Sequence, residues 1–200
     1  MNEINGSGSV CAVIMASGRS KRFGSNKLFA NVNGIPVIVH AIKTMIEGGF
    51  DRVTVVSGDE NILKLAGEMG AYPVRNGDTT DDQAVTIRLG IENILPGSLG
   101  CALFVADQPL FKCESADGLR RFFMENPDSI CAASINGKRG NPVIFPREYF
   151  DELHELLPGE RGKTVLNRHS ERLKLWEVSD EKELWDIDTA EDMQKILKNG

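Results

Sequence analysis

The sequence predicts a single α/β domain in which a mostly parallel sheet carries helices on both faces. Three observations predict it. Short, almost continuously apolar runs alternate with longer amphipathic stretches, the rhythm of strand and helix in turn. The apolar runs lack the in-out alternation of a half-exposed strand, as strands covered on both sides must. Finally, 200 residues with 41% hydrophobic content are enough to close one core and a cleft, with no composition shift to mark a second domain.

In chain order, the polar first nine residues read as a flexible tail, leaving 10–200 as the domain. Val10–Met15 is the first strand. Ile35–Glu47 reads as a helix, with Pro36 in its first turn and Gly48-Gly49 after its end. Strand Arg52–Ser57, helix Glu60–Glu68, strand Tyr72–Val74 and helix Gln83–Ile94 follow. Next come strand Cys101–Ala106, helix Glu114–Glu125, and strands Ser129–Ser134 and Pro142–Phe145. Helices Arg147–Leu156 and Arg161–His169 precede strand Leu173–Val178. The last helix, Ala190–Leu197, is capped by Thr189 with Asp192 three residues on, a capping box.

Charge narrows the function. The chain has 23 basic against 29 acidic residues, a formal charge of −6, which excludes the broad basic field of a nucleic-acid or membrane-surface binder. No apolar run approaches the ~20 residues of a membrane span, and the N-terminus lacks a signal-peptide core. A cytoplasmic protein is expected. The four cysteines form no C-x-x-C pair and sit mostly in apolar runs, so reduced, structural thiols are expected.

Against that acidic background, Arg19, Lys21, Arg22 and Lys27 crowd behind the strand that breaks into Ala16-Ser17-Gly18. Small residues at the end of a buried strand let backbone amides approach a ligand, and flanking cations bind phosphate oxygens. The run reads as a polyphosphate cradle, with an exposed basic loop as the alternative. Neither G-x-G-x-x-G nor G-x-x-x-x-G-K-[ST] fits it. A second apolar strand delivers Asp107-Gln108-Pro109, a carboxylate placed either to hold a hard cation or to cap the next turn. Asp186-Ile187-Asp188 precedes the final helix, where acidic residues also serve its dipole. His40, His154 and His169 have no partner motif and are read as structural or solvated.

Taken together, these segments resemble a known family. Met15-Ala16-Ser17-Gly18-Arg19-Ser20-Lys21-Arg22-Phe23-Gly24-Ser25-Asn26-Lys27 is similar to the L-A-A-G-x-S-x-R-[MF]-G-x-x-K signature of MobA-like nucleotidyltransferases, in particular the molybdenum-cofactor cytidylyltransferase branch. Asp107-Gln108-Pro109 resembles its metal-binding D-Q-P, Arg139-Gly140-Asn141-Pro142-Val143-Ile144-Phe145 its R-G-N-P-V-x-F, and Asp186-Ile187-Asp188-Thr189-Ala190-Glu191-Asp192 its D-I-D-T-P-E-D. Four motifs in the family's order span nearly the whole chain.

The resemblance implies a Rossmann-like, glycosyltransferase-A-type fold that binds a nucleoside triphosphate and Mg²⁺. It implies transfer of a nucleoside monophosphate, from CTP rather than GTP, to the terminal phosphate of molybdopterin, with a molybdenum hydroxylase apoenzyme as a protein partner. The amides of Ala16, Ser17 and Gly18 would cradle the triphosphate, Arg22 would offset charge on the leaving pyrophosphate, and Lys27 would stabilise the α-phosphoryl group. Asp107 and Asp188 would hold the metal, Asp107 thus sharing catalysis with Arg22 and Lys27. The segment containing Asp82 and Thr86 would contact base and ribose, and Arg139, Gly140, Asn141, Pro142 and Glu160 the acceptor. Ser17 departs from the signature's second Ala, Asp82–Thr86 from its serines, and Glu160 to Thr164 from its G-D-x-G-[AG]-R. Two other functions stay open: transfer to a sugar or polyol phosphate, and a weakly active or inactive cofactor-binding accessory to a molybdenum hydroxylase.

Overall fold

A computed structural model describes residues 8–18 and 26–199. The strands are β1 (Val10–Met15), β2 (Asn31–Val32), β3 (Ile35–Pro36), β4 (Val53–Ser57), β5 (Tyr72–Arg75), β6 (Gly100–Val105), β7 (Ile130–Ile135), β8 (Lys138–Pro146) and β9 (Leu173–Glu177). The helices are α1 (Val37–Glu47), α2 (Glu60–Glu68), α3 (Gln83–Glu92), α4 (Cys113–Glu125), α5 (Phe150–His154), α6 (Gly162–Arg168) and α7 (Ala190–Asn199).

One sheet runs in the order β5-β4-β1-β6-β8-β7-β9. β1 is flanked by β4 and β6, both parallel to it, and β8 runs antiparallel to both β6 and β7. The sheet is thus mostly parallel, as expected, with one reversed strand. Alternate β1 residues explain the continuous apolar run: Val10, Ala12 and Ile14 join the core on one face, while Cys11 and Val13 join that on the other. Side chains of α1, α2, α4 and α7 fill the first core, and those of α3, α5 and α6 the second. Each fully buried Val or Ile adds about 1.5–3 kcal/mol, so both faces favour a strand here. Gly90 lets α3 approach closely, since a Cβ there would stand 2.4 Å from Val13 Cγ1.

Three expectations need correction. Ile35 and Pro36 are not helical; they pair with Asn31 and Val32 across an Asn33-Gly34 turn whose residues both have positive φ (52° and 79°), and α1 begins only at Val37. The segment from Arg147 splits into a 3₁₀ turn, Arg147–Tyr149, and the short α5. Ser9, placed in the tail, is buried: its hydroxyl donates to Ser98 Oγ at 3.1 Å and its carbonyl accepts from Leu99 N at 2.8 Å. Residues 1–7 of that tail lie outside the described residues.

All four cysteines are free, three of them buried. Burial raises the Cys101 thiol well above its ordinary value and pushes Cys131 up to about 12, so neither presents a thiolate. Each histidine is engaged by its ring: His40 with the Val32 carbonyl (2.9 Å), His154 with Glu92 (2.8 Å) and His169 with Glu152 (2.7 Å). Among the described residues, no helix is long and apolar enough to cross a membrane.

Candidate active site

The carboxyl ends of β1 and β6 open into a cleft of about 410 Å³ lined by Ser17, Gly18, Lys27, Asp81, Gln83, Thr86, Asp107, Arg161 and Asp188, among others. Open α/β sheets bind ligands at such strand ends, where loop amides converge.

β1 continues for one residue beyond its strand, because Ala16 N donates to Val56 O at 2.9 Å. The Ala16 amide is therefore committed to the sheet. That leaves, among the described residues, the Ser17 and Gly18 amides to meet a ligand. Among the described residues, a Cβ on Gly18 would meet nothing within 4 Å. Ser17 is fixed from beneath: its hydroxyl donates to Val56 O (3.2 Å) and accepts from Asn76 Nδ2 (3.2 Å). Asn76, only 6% exposed, also donates to Thr86 Oγ1 at 3.1 Å and accepts from Asp78 N at 2.9 Å. One buried amide thus ties the loop after β1 to α3. Arg19, Lys21 and Arg22, expected to complete the cradle, lie outside the described residues.

Lys27 opens a 3₁₀ turn capped by Asn26, whose amide donates to Asp59 Oδ2 at 3.1 Å. The turn aims the lysine inward. Its Nζ donates to Asp107 Oδ2 (2.6 Å), the Ile187 carbonyl (2.6 Å) and Asp188 Oδ1 (3.3 Å). Asp107 lies in the turn just after β6, and its carbonyl accepts from Ile187 N at 3.0 Å. Ile187 is fully buried, so the alternating run points Asp186 and Asp188 away from the core. The expected capping box holds the other side: Thr189 N donates to Asp192 Oδ2 at 2.7 Å and Asp192 N to Thr189 Oγ1 at 3.2 Å, while Asp188 N also donates to Asp192 Oδ2 at 3.1 Å.

The carboxylates crowd one another. Although Asp186 keeps solvent contact, partial burial of its carboxyl, then the charges of Asp107 and Asp188, push it up to about 6 against the pull of a Gln108 hydrogen bond and Lys27. Upstream, Glu183 is buried and bound by Lys112 N (3.3 Å) and Ser179 Oγ (3.1 Å), which pins the turn leading to Asp186.

A second cavity of about 240 Å³ adjoins the first and shares Met15, Gln83, Val105 and Arg161 with it. Its floor is apolar, from Ile87, Leu103, Val143, Phe145 and Leu166, and its rim carries Arg139, Asn141, Arg161 and Lys163. Gly162 lets α6 press on this floor, since a Cβ there would lie 3.0 Å from Leu103 Cδ1.

Of the expected acceptor residues, Arg139 and Asn141 line this cavity. Gly140 instead packs on Leu184, where a Cβ would meet Cδ1 at 2.8 Å, and Pro142 is absent from the lining. Glu160 binds Arg168 (2.7 Å) and the Leu157 amide (2.8 Å). Asp82 caps α3 through Ala84 N (3.0 Å) and accepts from Gly159 N (3.1 Å), tying α3 to the turn before α6. Its neighbours Asp81 and Gln83 line the cleft in its place. Arg161 sits on the seam of the two cavities, and Lys163 lines the second.

Residues 12–173 match the family model described as the MobA-like NTP transferase domain. The chain belongs to this family. It is therefore a nucleotidyltransferase of the MobA-like group, and its fold is that of the nucleotide-diphospho-sugar transferases. It is 26% identical over 199 residues to the purine catabolism protein PucB of Bacillus subtilis, covering 93% of this chain and 95% of that one. It is also 26% identical over 196 residues to a probable molybdenum cofactor guanylyltransferase of Thermococcus gammatolerans, covering 92% and 97%. Among solved structures, Rv0371c of Mycobacterium tuberculosis superposes with a TM-score of 0.82 at 19% identity, over 96% of this chain and 99% of that one. A second structure of Rv0371c, a complex with manganese, gives 0.78 at 21% identity, over 96% and 100%.

Proposed function

We propose that this protein transfers a nucleoside monophosphate from CTP, in preference to GTP, to the terminal phosphate of molybdopterin, releasing pyrophosphate. The observation that carries this reading is the pair of adjoining cavities, one walled by the Gly18 loop and the Lys27, Asp107 and Asp188 cluster, the other apolar-floored and basic-rimmed. A triphosphate suits the first. A flat heteroaromatic acceptor bearing a phosphate suits the second better than a polyol, whose hydroxyls would find few partners on that floor.

Displacement at phosphorus between two anions is limited by charge repulsion and alignment, so the chain's task is to neutralise oxygens and hold the reactants in line. The Ser17 and Gly18 amides receive phosphate oxygens, Lys27 carries the charge developing at the α-phosphoryl group, and Arg22 meets the departing pyrophosphate. Arg161, on the seam, and Arg139 with Lys163 on the rim hold the acceptor phosphate facing the nucleotide. No general base is required, because a phosphate monoester with a second pKa of about 6 is already ionised near neutrality.

Asp107, Asp188 and the Ile187 carbonyl are hard oxygen donors already gathered around one cation, the Lys27 ammonium, and they suit Mg²⁺. Held by these residues, Mg²⁺ would supply Lewis-acid polarisation of phosphoryl oxygens and charge support for the leaving group. The preference for CTP rests on Ser17: its hydroxyl is turned inward to Val56 and Asn76, so toward a ligand it presents little more than the alanine of the cytidylyl signature. A molybdenum hydroxylase apoenzyme is the protein partner this product would serve.

Pyrophosphate release measured with CTP and GTP, with and without molybdopterin and Mg²⁺, tests this function. Release with CTP that needs both molybdopterin and Mg²⁺ is expected. Equal or faster release with GTP overturns the base preference, release on a sugar or polyol phosphate overturns the acceptor, and tight molybdopterin binding without release favours the accessory role.

A further inference from the structure

The Lys27 ammonium is held by three oxygens at the mouth of the cleft. Its ammonium is 2.6 Å from Asp107 Oδ2, 2.6 Å from the Ile187 carbonyl and 3.3 Å from Asp188 Oδ1, and its side chain is only 13% exposed. These three oxygens come from two loops, after β6 and before α7, and they converge on one point that the ammonium fills.

On the basis of the transferase function proposed above, we infer that Lys27 is the resident cation of the metal position, so that a divalent ion enters only as the nucleotide draws the lysine away. Geometry and charge both require the exchange. A small divalent ion bonds such oxygens at about 2.0–2.1 Å, and two cations sharing the same acceptors would lie close enough to repel strongly in this half-buried cleft. The ammonium must leave before the oxygens can close on a metal. The triphosphate offers it a destination, because its oxygens are charge-assisted acceptors in the same cleft that Lys27 lines. Nucleotide and metal therefore bind with positive coupling, and by linkage each tightens the other by the same factor. Without nucleotide the two carboxylates stay neutralised by the chain itself, so the site is held in shape and disfavours an idle metal.

The test uses Mn²⁺ as probe on the full chain, with free Mn²⁺ followed by electron paramagnetic resonance and no nucleotide present. Wild type should bind Mn²⁺ weakly. Lys27→Met, close in length but neutral, should bind it about 10-fold or more tightly, because a site nine-tenths occupied by the lysine has its apparent affinity reduced by that factor. Asp107→Asn in the Lys27→Met background should abolish the gain. Lys27→Gln should show the same gain, and for both variants Mn²⁺ should raise the melting temperature more than it does for wild type. Mn²⁺ affinity unchanged or weakened in folded Lys27→Met and Lys27→Gln overturns the inference. Adding CTP separates this from the function itself: absence of any CTP or GTP binding, with or without Mn²⁺, defeats the transferase proposal, while the nucleotide-free comparison still decides the role of Lys27.

Discussion

Ile187 donates its amide to the carbonyl of Asp107 at 3.0 Å, and this bond lays the loop after β6 against the loop before α7. Residues 80 positions apart in sequence thereby offer Asp107 and Asp188 to one point, with the buried Ile187 side chain as the anchor. The placement of the two carboxylates is set by backbone and core, so either can be altered with little effect on the fold.

Asp107→Ala should accordingly retain the wild-type circular dichroism spectrum and lose about 1 kcal/mol of stability from the broken bond to Lys27. Its metal-dependent turnover should fall by about 10³-fold or more, the equivalent of roughly 4 kcal/mol of charge stabilisation. Steady-state pyrophosphate release and a denaturant titration check both halves, and near-normal turnover would remove Asp107 from the metal site.

Asn76→Ala should raise the nucleotide KM several-fold with a smaller change in kcat, because it frees both Ser17 and Thr86 from the amide that positions them. Two hydroxyls lose a donor in a buried setting, so a stability loss of about 1–3 kcal/mol should accompany it. An unchanged KM would show that the loop after β1 holds its shape without α3.

Arg161→Ala should raise the acceptor KM more than the nucleotide KM, whereas Glu160→Ala should leave both near wild type. Glu160 spends its carboxylate on Arg168 and the Leu157 amide, an exposed set whose removal costs about 0.5–1 kcal/mol. Initial rates with each substrate varied in turn distinguish the neighbours. The reverse ranking would restore Glu160 to the acceptor site.

Stability toward acid should depend on Glu177. Gly137 N donates to it at 2.9 Å, Ser134 Oγ at 3.0 Å and Asn136 N at 2.8 Å, clamping the β7–β8 turn that carries Arg139 into the second cavity. The Gly137 amide bond, aided by Ser134 and Asn136, holds its pKa below the ordinary 4.5. A depressed folded-state pKa stabilises fully above the unfolded value and is lost as pH falls through the folded one. Glu177→Gln should therefore flatten the fall in melting temperature below about pH 4.5, where Glu177 in wild type takes up its proton. An unaltered acid limb would show that the clamp contributes nothing.

The site and its fold were unequally legible in the sequence. Strands β1, β4 and β6 announce themselves because both-sided burial demands unbroken apolar runs, and helix α7 because Thr189 and Asp192 mark its start. Strand direction has no such signature, so the reversed β8 is invisible in Pro142–Phe145 alone. The Asn33-Gly34 hairpin is masked by flanking strands of two residues each, whose Ile35 and Pro36 also suit a helix start. Asp82 is the clearest case of a residue whose motif position misleads. Its carboxylate is spent on a helix cap and on Gly159, a partner 77 residues away, while Asp81 and Gln83 face the cleft. Which cavities Arg161 meets is decided by α6 packing against β6 and β8, which the sequence does not show.

A crystal structure with a non-hydrolysable CTP analogue and Mn²⁺, located by anomalous scattering, tests the central claim most directly. The account predicts Mn²⁺ bound to Asp107 and Asp188, triphosphate oxygens on the Ser17 and Gly18 amides, and the Lys27 ammonium moved from the carboxylates to the phosphates. Nucleotide and metal found away from Gly18 and Asp107 would contradict it.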